Sequence, residues 1–198
     1  GKHAVEVLVE KDVSKATVYA EKINEHNSVR KGLDKSITEE ALLLVDNSKK
    51  STVLFSDKWH KGVVGIVASR VIETFYKPTI ILVEKNGILT GSARSVHDFD
   101  IYSAINECAY LCDNFGGHKY AAGLTIKKEN IHEFIDKFEQ VVSEKIKKSQ
   151  LMPRLNIDLE AKLEKIDAKF FRILKQFEPF GPKNPNPKFV SKDILIKD

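Results

Sequence analysis

Three short stretches of the sequence hold side chains able to manage a phosphate-sized anion. The first, Gly91-Ser92-Ala93-Arg94-Ser95, is expected just beyond a strand and brings two hydroxyls and a guanidinium into one exposed segment. An arginine offers a forked, permanently charged donor set, and hydroxyls with glycine-opened backbone amides add neutral donors, a combination suited to phosphate. The same residues also fit a plain surface loop with a solvated arginine. The second, Gly116-Gly117-His118 followed by Ala121-Ala122-Gly123, surrounds one imidazole with residues small enough for a ligand or another backbone to approach closely. His118 would then donate to a phosphate or base, or protonate a leaving group near neutral pH. The other reading is a glycine turn with an incidental histidine. The third, Trp59-His60-Lys61-Gly62-Val63-Val64-Gly65, spans an expected strand-to-helix turn, where unpaired amides and the positive end of a helix dipole meet His60 and Lys61. Its alternative is packing, with glycines seating the helix closely on a sheet and Trp59 covering the sheet edge.

What the sequence lacks narrows the chemistry. It contains no HxH, DHH or HExxH pattern, and His60 and His97-Asp98 stand isolated, so no metal or other cofactor is expected in this chain. Phosphodiester hydrolysis normally uses metal ions to activate water and neutralise developing charge, so the chain is not expected to perform that reaction alone. The serines near Arg94 also lack the GxSxG context of a nucleophile elbow.

The elements that must position these groups follow from periodicity. From Val13 to about Asn47 no proline or turn cluster interrupts a helical stripe of Ala16, Ala20, Ile23, Leu33, Ile37, Ala41 and Leu44, which predicts one long, mostly exposed connector helix, or two helices broken at Gly32. Thr52–Phe55 reads as a strand and Val64–Phe75 as an amphipathic helix stopped by Pro78. Thr79–Val83 and Ile88–Thr90 read as strands joined by a Lys85-Asn86-Gly87 turn. A helix is expected over Ile101–Cys112, a strand over Ala122–Ile126 and an amphipathic helix over Ile131–Ile146. Beyond Pro153 a strand is expected around Leu155–Leu159, a helix capped by Asp167 up to Phe177, a proline-rich turn from Pro179 to Pro187, and a last strand over Phe189–Ile196. The implied fold is α/β, with a mixed sheet flanked by helices, and three regions are expected: a connector at 1–50, an α/β domain at 51–150 and a partial β domain at 151–198.

Composition agrees with that scale. The 198 residues, 42% hydrophobic, suffice for one full core and the start of a second. Lysine and arginine total 32 against 28 acids, and a net charge of +4 permits nucleic acid without demanding it. Cys108 and Cys112 are expected as packed thiols on one helix face, consistent with a reduced, cytoplasmic setting. No apolar run approaches the ~20 residues of a membrane span, and the start lacks a signal-peptide profile, so no membrane association is expected.

The three motifs, in this order, resemble the DHH-associated domain of DHH-family phosphoesterases. The specific part is GGHxxAAG, intact as Gly116-Gly117-His118-Lys119-Tyr120-Ala121-Ala122-Gly123. Trp59-His60 with Gly62-Val63 and Gly65-Ile66, then Gly91-Ser92 with Arg94-Ser95, are similar to the RecJ exonuclease branch. Asn24, Asn27 and Arg30 resemble that branch's connecting helix, and Pro179-Phe180-Gly181 with Asn184-Pro185 and Pro187 resembles the start of its OB-fold domain. The resemblance implies a 5′→3′ exonuclease acting on single-stranded DNA in repair and recombination, with manganese or magnesium bound in a separate N-terminal catalytic domain that is missing here. It implies that Ser92, Arg94 and Ser95 hold phosphate near the 5′ end, that Gly116, Gly117 and His60 help line the strand, and that His118 faces the scissile region across the cleft. Lys183 and Lys188 with Phe180 and Phe189 would add a weaker strand-tracking surface, unless those aromatics are core. A short-oligonucleotide or cyclic-dinucleotide phosphodiesterase shares GGHxxAAG, but such proteins usually end soon after this domain. A binding module without an enzymatic parent is the remaining alternative.

Overall fold

The computed structural model describes residues 2–195, which form two compact units, one running to Met152 and one beginning at Pro153. The first unit opens with helix α1 (Lys2–Val9) and the long α2 (Val13–Leu43). Asp12 sets the start of α2, its carboxylate accepting from the Ser14 and Lys15 amides at 2.9 and 3.3 Å. The helix continues through Gly32, because its C-terminal half is docked: Ile37 and Ala41 are buried, and buried Asp34 accepts from Arg70 at 3.1 and 2.9 Å. Packing of that kind outweighs the roughly 1 kcal/mol that a mid-helix glycine costs. The helix therefore ends at Leu43, and not near Asn47.

Five strands follow: β1 (Thr52–Ser56), β2 (Thr79–Lys85), β3 (Ile88–Arg94), β4 (Cys112–His118) and β5 (Ala121–Lys127), in the spatial order β1-β2-β3-β5-β4. Helix α3 (Val64–Phe75) connects β1 to its parallel neighbour β2, and the remaining pairs are antiparallel, which makes the sheet mixed. The β2–β3 turn places Asn86 at φ 53 and Gly87 at φ 77, the positive angles that a two-residue hairpin of the right twist requires. Helices α4 (Ile101–Asn106) and α5 (Ile131–Lys145) complete the unit.

Four sequence expectations differ from the fold. The helix expected over Ile101–Cys112 stops at Asn106, and after a short 3-10 turn Cys112 opens strand β4. Gly116 and Gly117, expected as a break, lie inside that strand because both pair with β5. Likewise Gly91, Ser92, Ala93 and Arg94, expected in a segment beyond a strand end, belong to β3 itself. Cys108 and Cys112 remain free thiols, but not on one helix face. Burial pushes both up to about 11, so neither is a ready nucleophile.

Pleat alternation gives each sheet face its own core. Ile80, Leu82, Ala93, Ala122, Leu124 and Ile126 pack with Ile101 and Ile105 of α4 and Phe134 and Phe138 of α5. On the opposite face, Ile81 packs with Val64, Val67 and Val71 of α3 and Ile37 and Ala41 of α2. These helices shield β1 and β2 on that side, whereas Gly116 and His118 of β4 and Ala121 and Gly123 of β5 are exposed.

In the second unit, β6 (Leu159–Glu160) pairs in parallel with β7 (Phe189–Val190), and Asp167 caps α6 (Ala168–Lys175) by accepting from the Phe170 amide at 2.7 Å. The strand expected around Leu155–Leu159 is thus reduced to its end, and β7 stops well before Ile196, which lies outside the described residues. Asn184 organises the proline-rich turn, donating to the Phe177 and Pro179 carbonyls at 2.8 and 3.1 Å. Phe170 and Phe189 meet edge to face at 5.1 Å, so Phe189 packs within this small apolar cluster. Among the described residues no helix is long and apolar enough to cross a membrane.

Candidate functional site

The sheet register brings the first two motifs onto one face. Arg94 lies opposite Ala121, and Ala121 opposite His118; two residues along, Ser92 lies opposite Gly123, and Gly123 opposite Gly116. Directly paired residues share a face, so Arg94, Ser92, Gly116, Gly123 and His118 all lie on the side that β4 and β5 leave open. Arg94 and His118 are two strand spacings apart, about 10 Å between backbones. Ala93 and Ala122 of the same motifs point into the core.

Arg94 and Ser92 sit against the first turn of α3. A Cβ built on Gly65 would be 2.8 Å from an Arg94 guanidinium nitrogen and 3.4 Å from the Ser92 hydroxyl, so that glycine makes room for both. Arg94 donates to the Ala93 carbonyl at 2.8 Å and has no ion pair among the described residues. Most of its donor capacity is therefore unspent. The α3 N-terminus has no side-chain cap, and the unbonded amides of a first helical turn favour an anion nearby. His60 is exposed and its Nδ1 accepts from the Gly62 amide at 3.1 Å, closing the turn ahead of α3. Trp59 is 4% exposed and packs with α2 and α3, which answers the third motif's alternative in favour of packing for that residue.

Ser95 is not brought to the open face in the same way. Its amide donates to the Tyr120 carbonyl at 3.1 Å and its hydroxyl to the Phe99 carbonyl at 2.8 Å, so its proton is committed to the loop after β3. That loop and the β4–β5 turn hold each other: Asp98 contacts His97 at 3.1 Å and Lys119 at 3.5 Å, and the Ile101 amide donates to the Lys119 carbonyl at 3.0 Å. His118 ends β4 at this anchored turn and has no partner among the described residues.

The glycines divide into two kinds. A Cβ on Gly117, where φ is 148, would overlap the Ala121 carbonyl and lie 2.5 Å from the Ala122 Cα, and one on Gly91 would overlap the Ile81 carbonyl. These two are demanded by the sheet. A Cβ on Gly116 would meet nothing within 4 Å, and one on Gly123 only the Gly91 carbonyl at 3.7 Å. Those two clear a floor that folding does not require to be clear. No group of three or more His, Cys, Asp or Glu side chains among the described residues is arranged to hold a metal ion.

This sheet, with its GGHxxAAG hairpin, is that of a DHHA1 domain, and residues 48–144 match the DHHA1 domain family while residues 157–198 match the RecJ OB domain. The chain is 30% identical over 200 residues to the single-stranded-DNA-specific exonuclease RecJ of Bacillus subtilis (strain 168), spanning 98% of this chain and 25% of that protein. It is 32% identical over 205 residues to the RecJ of Dickeya dadantii (strain 3937), spanning 98% of this chain and 36% of that one. Crystal structures of RecJ from Thermus thermophilus in complex with Mn2+ and with Mg2+ match with TM-scores of 0.85 and 0.82 at 25% and 26% identity, covering 96% and 94% of this chain and 28% and 29% of those chains. The chain belongs to the RecJ family, corresponding to its DHHA1 and OB region. It spans between 25% and 36% of the length of these two curated relatives.

Proposed function

We propose that the open sheet face grips the backbone of single-stranded DNA, at its 5′ phosphate, for a 5′→3′ single-strand-specific exonuclease of DNA repair and recombination. Arg94 supplies the forked charged donor, Ser92 a hydroxyl, and the α3 N-terminus its oriented amides, while His118 donates from the far side of the floor toward the reacting phosphodiester. Gly116 forms part of the floor, Gly117 gives the hairpin the shape that carries it, His60 borders the site ahead of α3, and Ser95 contributes indirectly by fixing the loop after β3. Hydrolysis itself belongs to a metal-bearing catalytic domain acting with this one, where Mg2+ or Mn2+ would activate water. The regions 1–50, 51–150 and 151–198 serve as connector, substrate-gripping domain and part of an OB-type domain, working in the cytoplasm.

The observation that carries the reading is the clear floor of Gly116 and Gly123 beside an arginine with no ion-pair partner among the described residues. Glycine inside a strand weakens the free fold and the half-buried Arg94 guanidinium keeps donors for a ligand, and a bound phosphodiester backbone makes use of both. Holding substrate in register is itself a contribution to rate. The test is titration of the chain with a labelled single strand carrying or lacking a 5′ phosphate, with Arg94→Ala and His118→Ala, at two salt concentrations. Arg94→Ala should weaken binding of the phosphorylated strand about tenfold and reduce the salt slope by about 1. Unchanged binding by Arg94→Ala, or equal affinity for duplex, overturns the proposal.

A further inference from the structure

The open face continues past the Arg94 row. Along the same pleat, Ser92 is followed by Thr90, Gly123 by Thr125 and Lys127, and Gly116 by Asn114; the register joins Thr90, Thr125 and Asn114 into a third rung. Rungs two residues apart lie about 7 Å from one another, which puts the third about 14 Å from Arg94. Of the residues paired in the three rungs none is acidic, exposed Asp113 lies unpaired beside Asn114, and Lys127, next along β5, is exposed. Thr90 and Thr125 are half-buried with their hydroxyls 3.4 Å apart, a separation at the margin of hydrogen bonding that engages at most one of the two protons. The exposed Asn114 amide and the Lys127 ammonium have no partner among the described residues. Asn114 stands at a register shift in the β4–β5 pairing, the kind of irregularity that re-aims a side chain beside a binding site.

We infer that Thr90, Thr125 and Asn114 form a second backbone subsite, which holds the sugar-phosphate of a single strand two phosphates inward from the one at Arg94. Lys127 neutralises the phosphate beyond it. The inference deepens the proposed function and rests on it. Charge complementarity identifies the occupant, since a track whose paired residues hold no carboxylate and that has cations at both ends suits a polyanion laid lengthwise. Thr90, Thr125 and Asn114 carry no aromatic ring, so bases find no stacking platform at this rung and it reads the backbone without regard to sequence.

The test compares 5′-phosphorylated dinucleotide, tetranucleotide and octanucleotide single strands by fluorescence anisotropy on the whole chain. Arg94→Ala should weaken every length. Thr125→Val, which keeps side-chain shape, and Asn114→Ala should each weaken the tetranucleotide and octanucleotide threefold or more while leaving the dinucleotide, too short to reach the third rung, unchanged. If Arg94→Ala has its effect but Thr125→Val and Asn114→Ala bind all lengths as wild type does, or lose affinity equally at every length, the subsite is overturned and the phosphate grip stands. Wild-type binding by Arg94→Ala, or no binding of any strand, overturns both.

Discussion

Two adjacent glycines provide the sharpest test of the reasoning. Gly117→Ala puts a methyl into the Ala121 carbonyl and 2.5 Å from the Ala122 Cα, at φ 148 where side chains are strained. The overlapping atoms are backbone and cannot step aside, so the cost is about 3 kcal/mol, the upper range for forced backbone strain. For a unit of this size that lowers the melting temperature by about 6–12 °C. Gly116→Val, one residue earlier, meets nothing within 4 Å and replaces a flexible residue by a strand former, so stability holds or rises by about 0.4–1 kcal/mol. Its side chain instead stands on the floor where the strand is proposed to lie, and affinity for a single strand should fall at least tenfold, a loss of about 1.4 kcal/mol. Thermal unfolding and fluorescence anisotropy on both variants measure the two effects separately. A Gly117→Ala chain that melts like wild type refutes the steric argument, and a Gly116→Val chain that binds like wild type refutes the floor.

Gly65→Ala should act on the site without touching the strand directly: its methyl displaces the Arg94 guanidinium nitrogen now 2.8 Å away, so binding should weaken severalfold while stability is kept or improved, as anisotropy and melting will report. Glu139 holds the segment between α2 and β1, accepting from the Lys50 and Ser51 amides at 2.9 Å each and from the Ser51 hydroxyl at 2.5 Å. Burial acts to raise its carboxyl, but the hydrogen bonds from Ser51, Lys50 and Ser143 outweigh that and hold it below its ordinary 4.5. The folded state therefore favours the ionised form, so this stabilisation is complete above pH 4.5 and disappears as pH falls through the lower folded value. Glu139→Gln should cost about 1 kcal/mol at pH 7, with the difference in urea unfolding shrinking as the pH drops below that window; a difference that is independent of pH would contradict the assignment.

Some of this molecule was legible one residue at a time. Asp167 caps its helix because a short carboxylate before an apolar periodic run satisfies the first amides locally. Asn86-Gly87 makes its turn from intrinsic preference for positive φ, and Val64, Val67 and Val71 announce a buried helix face by spacing alone. Strand β4 was not legible, because Asp113, Asn114, Gly116 and Gly117 carry weak strand propensity and form a strand only through pairing with β5. The chain could name Ser92, Arg94 and His118 as able to bind phosphate, since that ability belongs to the side chains themselves. Only the three-strand register could put them on one face, send Ser95 to the Phe99 carbonyl and separate the glycines that folding demands from those it leaves free. Chemical capacity is local to a residue, whereas direction, spacing and empty space are set by partners distant in sequence, and these the tertiary structure alone decides.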